Sequence, residues 1–421
     1  MPATPDAVLP HLAAHRVWEQ CDALARHSEL PGGLTRVFLS PQQREVNALV
    51  LAWMREAGMH ARLDALGNCV GRYEGATPGA PCLMLGSHLD TVRDAGRYDG
   101  MLGVLCAIEC VRALAQADVR LPFAVEVVGF GDEEGVRYGS TLLGSRAVAG
   151  TFDPALLDKT DGDGIALRDA LAAFGLDPAR HRDAARTPPE VLAYAELHIE
   201  QGPVLEAHGL PVGVVTAING GNRFAIEIAG MAGHAGTVPM TLRRDALAAA
   251  AECVLATERI ASSLPDVVGT VGRIAALPGA MNVIPGRVSF SLDVRAPTDA
   301  QRHDAVAAIT GEFARIAARR NVALSAAPLW EAKTAPCAPD LQRQIAAAIA
   351  AEGIPVHHLP SGAGHDGMAL VDIAPIGMLF VRCRDGISHN PAEAVTEADV
   401  ATGLRVLARF ILAFAPPPRH T

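Results

Sequence analysis

Five short segments of this sequence carry histidines or carboxylates at the ends of apolar runs or between glycines. Taken singly, each is weak, because a histidine at a strand end is usually structural and adjacent glutamates usually form a solvated turn. Together they place three histidines and several carboxylates at the carboxyl ends of apolar strands, the edge at which open α/β sheets bind ligands. The segments are GSHLDTV (86–92), GRYDG (96–100), GDEEG (131–135), ELHIEQG (196–202) and GISHNPAE (386–393).

The residue types in these segments predict a site for two divalent metal ions. Nitrogen and oxygen ligands without thiolate suit Zn or Mn, and also Co or Ni. A two-metal site needs a bridging carboxylate, terminal ligands for each ion and a water between them. We expect Asp99 to be the bridge. His88 and His198 would bind one ion, and Glu134 and His389 the other.

Two further carboxylates have predicted roles beside the metals. Glu133 has no ligand role and is expected to be the general acid/base, which accepts the proton of the bridging water and passes it to the leaving nitrogen. Asp90 follows His88 by two residues, so in extended chain both share a face, and Asp90 can brace the imidazole of His88. Asp132, the first of the three consecutive acids, receives no ligand role.

Alternating strands and helices must position these residues. Short apolar runs bounded by Gly and Pro fit central strands of a sheet covered on both faces, and Ala-rich helices lie between them. The predicted class is α/β with a mixed, largely parallel sheet flanked by helices. The expected strands are 81–85, 123–130, 191–199 and 374–381, and the expected helices are 100–117, 244–263 and 299–320, the last capped by Thr298.

The region 218–330 has a different pattern. Alternate positions of 288–294 are apolar and polar, which is typical of a sheet with one face on the core. Two amphipathic helices lie in the same region. We therefore predict an α+β domain over 218–330, inserted into a discontinuous domain of residues 1–217 and 331–421.

Composition limits the class of partner. Lys and Arg number 36 against 46 Asp and Glu, which gives a formal charge of −10 and argues against nucleic acid or an anionic membrane surface as the main partner. We read no secretory signal at the N-terminus and no run long enough to span a membrane. The eight cysteines form no CxxC pair and are expected to be buried, reduced thiols. A cytoplasmic protein is the expectation.

The five motifs, in this order and spacing, resemble the amidase, hydantoinase and carbamoylase branch of the dinuclear metallopeptidase superfamily. The resemblance extends over nearly the whole chain. It implies that Glu133 is catalytic and that the metal ligands fall on the five residues assigned above. Peptidase relatives usually carry a carboxylate where this branch has the histidine of ELHIEQG, so His198 points towards carbamoyl substrates.

The same resemblance assigns the inserted region as a ferredoxin-like lid and dimerisation domain, so it implies a homodimer. The lid histidine would be catalytic as well as substrate-binding, because a His can stabilise the oxyanion of a tetrahedral intermediate. An Arg suits a bidentate contact with a substrate carboxylate. The implied substrate contacts are His234 in GHAGTVP, Asn282 in AMNVIPG, Arg295 in LDVRA, Gln201 in the EQG turn, and the backbone of Gly362, Ala363 and Gly364 in SGAGHDG. Gln201 has the alternative role of supporting the metal loop, and His365 and Asp366 of SGAGHDG match the family pattern without an assigned role.

The implied reaction is hydrolysis of a ureido or carbamoyl C–N bond on a small carboxylate, releasing ammonia and CO2. DTVRDAGRYDG and AGTVPM resemble the allantoate amidohydrolases of this branch more than its N-carbamoyl-L-amino acid hydrolases. The resemblance therefore favours allantoate over N-carbamoyl-L-amino acids, with ureidoglycolate and β-ureidopropionate as further candidates. A non-catalytic binding protein is disfavoured because all six metal and base positions are intact. A metallopeptidase or aminoacylase is disfavoured by His198.

Overall fold

Strands and helices alternate along most of the chain in the computed structural model, which describes residues 4–417. Residues 1–3, part of the segment in which we read no signal, and 418–421 lie outside that range. The strands are β1 His60–Leu63, β2 Cys69–Tyr73, β3 Cys82–His88, β4 Ala124–Phe130, β5 Val191–Ile199, β6 Val212–Ile218, β7 Gly220–Ala229, β8 Gly233–His234, β9 Val268–Thr270, β10 Ile274–Leu277, β11 Val283–Ile284, β12 Arg287–Ala296, β13 Ala323–Ala332, β14 Ala335–Pro336, β15 His358–Ser361 and β16 Ile376–Val381.

The α-helices are α1 Pro5–Val8, α2 Ala14–Ala25, α3 Pro41–Glu56, α4 Met101–Gln116, α5 Leu143–Val148, α6 Leu167–Ala173, α7 Val204–Ala207, α8 Ala246–Ser262, α9 Asp299–Arg320, α10 Pro339–Ala350, α11 Gly367–Leu370 and α12 Glu397–Ala413. Short 3₁₀ helices are formed by Leu9–His11, Pro154–Asp158, Pro178–Ala184, Met240–Leu242 and Arg384–Gly386. No helix within residues 4–417 is long and apolar enough to cross a membrane.

The larger sheet has the order β1-β2-β4-β3-β5-β16-β6-β14, and β15 also pairs with β6. Its central strands β4, β3, β5 and β16 are parallel to one another. Antiparallel strands complete it on both sides. The predicted mixed sheet is thus confirmed. Because the parallel strands are neighbours, their carboxyl ends lie side by side at one edge.

The central layer is buried on both faces. Strands β3 and β4 are buried at every residue, which explains their almost continuous apolar sequences. Helix α4 packs on these strands and on β5, and it contacts α2 and α12 on its other side. Gly103 of α4 lets this packing be close, because a Cβ there would lie 2.2 Å from the main-chain oxygen of Leu197. All eight cysteines are buried free thiols, as expected.

The chain folds into two compact units. The first runs to Thr216 and resumes over Cys337–Leu359 and from Ala363, and the second covers Ala217–Pro336 and Pro360–Gly362. In the second unit, antiparallel strands have the order β10-β12-β7-β13, with β9 also paired to β12. The apolar positions of 288–294 are buried, while the intervening side chains are not.

Helix α9 has the bounds that its sequence predicts. The Thr298 side chain accepts a hydrogen bond from the N–H of Gln301, and Asn321 ends the helix in the left-handed conformation. Helix α8 begins two residues later than predicted. The reason is that Asp245 caps it, accepting from the N–H groups of Leu247 and Ala248.

Candidate metal centre

The predicted ligands of the first unit meet where the parallel strands end. His88 is the last residue of β3, and His198 lies one residue before the end of β5. Asp99 lies in the loop before α4, Glu134 follows β4, and His389 follows β16. All but His389 are largely withdrawn from solvent; its side chain is half-exposed.

Hydrogen bonds fix the tautomers of the two buried histidines. Nδ1 of His88 lies 2.9 Å from the main-chain oxygen of Asp90, and Nδ1 of His198 lies 2.8 Å from that of Ile199. A carbonyl oxygen can only accept, so each Nδ1 carries a proton. The Nε2 atom of each neutral ring is therefore left with a lone pair, the arrangement that metal-binding histidines adopt.

Asp99 lies at the centre of the three imidazoles. Its Oδ1 is 3.6 Å from Nε2 of His88 and 3.2 Å from Nε2 of His198, while its Oδ2 is 3.2 Å from Nε2 of His389. Nε2 of His389 is also 3.5 Å from a carboxylate oxygen of Glu134. Nε2 of His198 and Oδ1 of Asp99 are buried, and neither makes an aligned hydrogen bond within the described residues.

The lone pair of an imidazole nitrogen and a carboxylate oxygen repel each other unless a cation lies between the two atoms, either a proton on the imidazole or a metal ion. The directions of the pKa shifts at this site show that positive charge is stabilised there. Burial raises the pKa of Asp99, but the surrounding histidines outweigh it and hold that pKa well below its usual value. Burial lowers the pKa of His88 and His198, but the carboxylates around them outweigh it and raise both.

These residues fit two ions that share a carboxylate. Ligand atoms of His88, Asp99 and His198 lie within 4.8 Å of one another, and so do those of Asp99, Glu134 and His389. Asp99 belongs to both groups, as a bridging carboxylate must. The donor set is nitrogen and oxygen only, which suits borderline divalent ions.

Glu133 lies beside this ligand set. One of its carboxylate oxygens is within 4.8 Å of ligand atoms of His88 and Glu134. Burial raises the pKa of Glu133 well above its usual value, and the charge of Glu134 adds to the shift. Burial likewise raises the pKa of Glu134, to about 7. A buried carboxyl with a raised pKa is a suitable proton carrier.

The role expected of the Asp90 carboxylate needs correction. Asp90 does brace His88, but through its main-chain oxygen, because its carboxylate is 3.9 Å from Nδ1 of His88. The carboxylate instead accepts the N–H groups of Glu133 (3.1 Å) and Glu134 (3.2 Å). Asp90 thereby ties the ends of β3 and β4 together and holds the acidic loop in place.

Asp132 faces the protein interior and not the ligands. Its backbone has φ of 58°, and neither of its buried carboxylate oxygens has a hydrogen-bond partner among residues 4–417. Burial raises its pKa well above the usual value, and the nearby charge of Asp90 adds to the shift.

Sequence reasoning assigned no site role to Glu196, His365 or Glu393, and the fold brings all three to the site. Glu196 and His365 form a further group with His198 whose ligand atoms lie within 4.8 Å. Glu196 could have been found, because it precedes His198 by two residues on the same strand and so shares its face. Glu393, the last residue of GISHNPAE, accepts the N–H groups of Tyr98 and Asp99, a role that its motif does not indicate.

Gln201 lies at the metal centre. Its Nε2 donates to Oδ2 of Asp99 at 3.0 Å and lies 3.2 Å from Oγ of Ser388. Its backbone has φ of 59°. These contacts agree with the alternative in which Gln201 supports the metal loop.

The second unit carries most of the other predicted substrate contacts. Strands β8 and β11 pair so that His234 lies opposite Val283, and the N–H of Ala235 donates to the main-chain oxygen of Asn282. His234 and Asn282 therefore belong to one small ribbon, and the His234 side chain is exposed.

Arg295 lies on β12 of the same unit. It makes two hydrogen bonds with the carboxylate of Asp293 and one with the main-chain oxygen of Gly362. Ala363 and Gly364 follow Gly362 in the chain but belong to the first unit. In the first unit, a Cβ added at Gly364 would lie 3.9 Å from a carboxylate oxygen of Glu133.

Comparisons with known proteins agree with this fold. Residues 84–413 match the model of peptidase family M20/M25/M40. The chain is 45% identical, over 94% of its length and 97% of the relative's, to an N-carbamoyl-L-amino acid amidohydrolase of Geobacillus stearothermophilus. It is 38% identical to an allantoate deiminase of Arabidopsis thaliana, over 95% of this chain and 82% of that one.

A crystal structure of an amidase of the hydantoinase/carbamoylase family from Burkholderia multivorans shares the fold. Its TM-score is 0.91 at 34% identity, over 97% of this chain and 99% of that one.

Nitrogen and oxygen donors at the edge of the mixed α/β sheet form a candidate metal centre, and enzymes of the matched family are metal-dependent hydrolases. The chain belongs to peptidase family M20/M25/M40, and within it to the amidohydrolases that include carbamoylases and allantoate amidohydrolases. It is therefore an enzyme that hydrolyses C–N bonds.

Proposed function

We propose that this protein hydrolyses the C–N bond of a ureido or carbamoyl group on a small carboxylate, using two divalent ions, Zn or Mn with Co or Ni as alternatives. The observation that carries the proposal is the position of Asp99, which faces the free Nε2 atoms of His88 and His198 while Glu133 lies beside them without an equivalent partner. The carboxylate of Asp99 would bridge the two ions, and the carboxylate of Glu133 would transfer the proton.

Glu133 performs the proton transfers in this proposal. Two ions, when bound, lower the pKa of water and polarise the substrate carbonyl. Glu133 accepts the proton that the attacking water loses, and it delivers that proton to the nitrogen as the C–N bond breaks. Consumption of one water yields ammonia, CO2 and the amine product. Asp90 keeps Glu133 in place by accepting its N–H.

Arg295 and its neighbours in the second unit are proposed to bind the substrate carboxylate and the carbonyl oxygen. The guanidinium of Arg295 has the planar fork that suits a carboxylate. In the structure the guanidinium is paired with the carboxylate of Asp293. A substrate carboxylate would therefore compete with Asp293 for the guanidinium. His234 and Asn282 share a ribbon and supply polar groups for the carbonyl oxygen and the ureido nitrogens. Assembly as a homodimer, with His234 completing the site of a second copy, belongs to the same proposal.

Two substrates have specific support. Allantoate is favoured by DTVRDAGRYDG and AGTVPM and by similarity to allantoate deiminases. N-carbamoyl-L-amino acids are favoured by the higher identity, 45%, to an enzyme named for that substrate. Both molecules place a carboxylate near a ureido group, so the same catalytic residues would serve either.

A substrate panel tests the proposal. The chain is stripped of metal, restored with Mn or Zn, and assayed for ammonia release from allantoate and from N-carbamoyl-L-amino acids, with a dipeptide as control. We expect metal-dependent ammonia release from at least one ureido substrate and none from the dipeptide, and the ratio of kcat/KM values identifies the substrate. Cleavage of the dipeptide with no ammonia from either ureido compound would contradict the proposal.

A further inference from the structure

We propose that Glu393 is a positioning residue for the metal centre: it fixes the loop that carries Asp99 to the loop that carries His389. The inference rests on the proposed function, because it concerns the same two ions. Glu393 contributes no ligand atom to the groups around Asp99. Glu393 would therefore affect metal binding only through the residues that are ligands.

The first connection is to the Asp99 loop. Oε1 of Glu393 accepts the N–H of Tyr98 at 2.8 Å and the N–H of Asp99 at 3.2 Å. Glu393 is only 4% exposed, so water does not compete for these bonds. Two successive N–H groups on one oxygen fix the direction of the backbone at Asp99, and therefore the direction of its side chain.

The second connection is to the His389 loop. Oγ of Ser388 lies 3.0 Å from Oε2 of Glu393, which can only accept when ionised, so Ser388 donates to it. Nε2 of Gln201 in turn lies 3.2 Å from Oγ of Ser388 and 3.0 Å from Oδ2 of Asp99. The two N–H groups of this amide can serve both acceptors. A chain of hydrogen bonds thus connects Glu393 to each side of the proposed pair of ions.

The glycine that begins GRYDG supports this role. A Cβ added at Gly96 would lie 2.2 Å from the carboxyl carbon and from Oε1 of Glu393. The backbone of Gly96 has no positive φ, so conformational freedom does not explain the residue. Close approach of the Glu393 carboxylate does.

Metal binding by the intact chain tests the proposal. Dissociation constants for Mn are measured on wild type, Glu393→Gln and Glu109→Gln, together with the Tm of each metal-free protein. Glu109 is a matched control, because it is a buried carboxylate that also accepts a main-chain N–H, that of Ala13. Glu109 lies on α4, ten residues after Asp99 in the chain. Glutamine retains the size of Glu393 but replaces one acceptor oxygen with a donor.

We expect Glu393→Gln to bind Mn about 10- to 100-fold more weakly, the usual effect of losing a partner that orients a ligand. Glu109→Gln should bind Mn as the wild type does. Excess Mn should restore the kcat of Glu393→Gln towards the wild-type value, which a general loss of folding would not allow. Wild-type affinity in Glu393→Gln would overturn the inference, and absence of Mn binding by the wild type would instead overturn the proposed function.

Two further variants make the test independent of how Glu393→Gln folds. Ser388→Ala removes the link to the second loop, together with the 3.2 Å contact between Oγ of Ser388 and Oδ2 of Asp99, but leaves the two N–H bonds to Glu393, and we expect a smaller loss of Mn affinity. Gly96→Ala should weaken Mn binding in the wild-type background and have less effect when Glu393 is also glycine, because the carboxylate and the Cβ of Glu393 that crowd the added Cβ are then both absent. Unchanged affinity in Ser388→Ala, or equal losses for Gly96→Ala in both backgrounds, would contradict the positioning role.

Discussion

Asp132, Glu133 and Glu134 would repel one another as three free carboxylates, yet each has different surroundings. Glu134 faces His389, and Glu133 lies near His88 with its N–H held by Asp90. Asp132 turns into the interior, where burial raises its pKa. The proposed ions would remove the remaining repulsion, because they bring positive charge to the same pocket.

Arg295 is the residue-scale test of substrate recognition. Arg295→Ala removes the guanidinium fork, so KM should rise by about 10-fold or more for a carboxylate substrate, as a charge-assisted hydrogen bond is worth about 1.5–3 kcal/mol. The kcat should change much less, because Arg295 has no part in the proposed proton transfers. Steady-state kinetics with a ureido carboxylate check this, and an unchanged KM would exclude Arg295 from the substrate site.

Residue types and spacing were sufficient to predict which side chains gather around Asp99. They could not reveal contacts made by the main chain, because nearly every residue type carries the same main-chain carbonyl and N–H groups. This is why the brace on His88 was assigned to the carboxylate of Asp90 when its main-chain oxygen provides it. The acceptor role of Glu393 towards Asp99 was missed for the same reason.

At the scale of elements, the distance between α4 and β5 determines how Asp99 and His198 meet. Gly103→Ala would force a Cβ against the main-chain oxygen of Leu197, and we expect a loss of about 1–3 kcal/mol in the free energy of unfolding. Gly311→Ala in α9 is the matched control, because nothing lies within 4 Å of the added Cβ. That substitution should stabilise by about 0.5–1 kcal/mol. Urea unfolding measures both, and equal effects would contradict the packing account.

Glu352 connects the end of α10 to α12. Its carboxylate accepts from Nε of Arg405 at 2.6 Å and also from Arg409. Burial raises the pKa of Glu352, but the two arginines outweigh it and leave the pKa below its usual value of 4.5. The ion pairs therefore stabilise the fold fully above pH 4.5, and this contribution disappears as the pH falls through the lowered pKa.

Glu352→Gln should accordingly lower the free energy of unfolding at pH 7 by about 1 kcal/mol or less. The difference between variant and wild type should vanish at acidic pH. Urea unfolding across this pH range measures it, and a difference that is independent of pH would show that the charge of Glu352 is not its cause.

Local sequence determined some elements well and others only in part. Helix α9 was predicted to the residue because Thr298 marks its beginning. Strand β3 was predicted to end at residue 85 but continues to His88. The apolar pattern stops there, while hydrogen bonding to β4 continues up to the pairing of His88 with Phe130. Pairing between strands is a tertiary interaction, which an apolar pattern does not register.

At the scale of the whole molecule, the site is assembled from segments that are far apart in the chain, from His88 to His389. Parallel strands bring them together, because successive strand ends meet at one edge of the sheet. The centre therefore depends on the complete sheet and on the metal. Without metal, the loop after β4 holds three acids near one another and should be the least stable part of the site.

Hydrogen exchange on the whole chain tests this dependence. Removal of metal should increase the exchange of the main-chain amides of residues 131–135 and leave those of α9 unchanged, because α9 is held by its own helical bonds and the core of the second unit. Mass spectrometry of peptides from the metal-free and Mn-loaded protein provides the comparison. Equal exchange of residues 131–135 in both forms would contradict a role for metal in stabilising the loop.

The most direct test of the central claim separates proton transfer from metal binding at two adjacent residues. Metal content per chain and ammonia release are measured on Glu133→Gln and on Glu134→Gln. We expect Glu133→Gln to retain wild-type metal content and to lose about 100- to 10,000-fold in kcat, the usual contribution of a general acid/base. We expect Glu134→Gln to lose metal. If Glu133→Gln lost its metal, or if it retained wild-type turnover, the roles assigned to these two carboxylates would be contradicted.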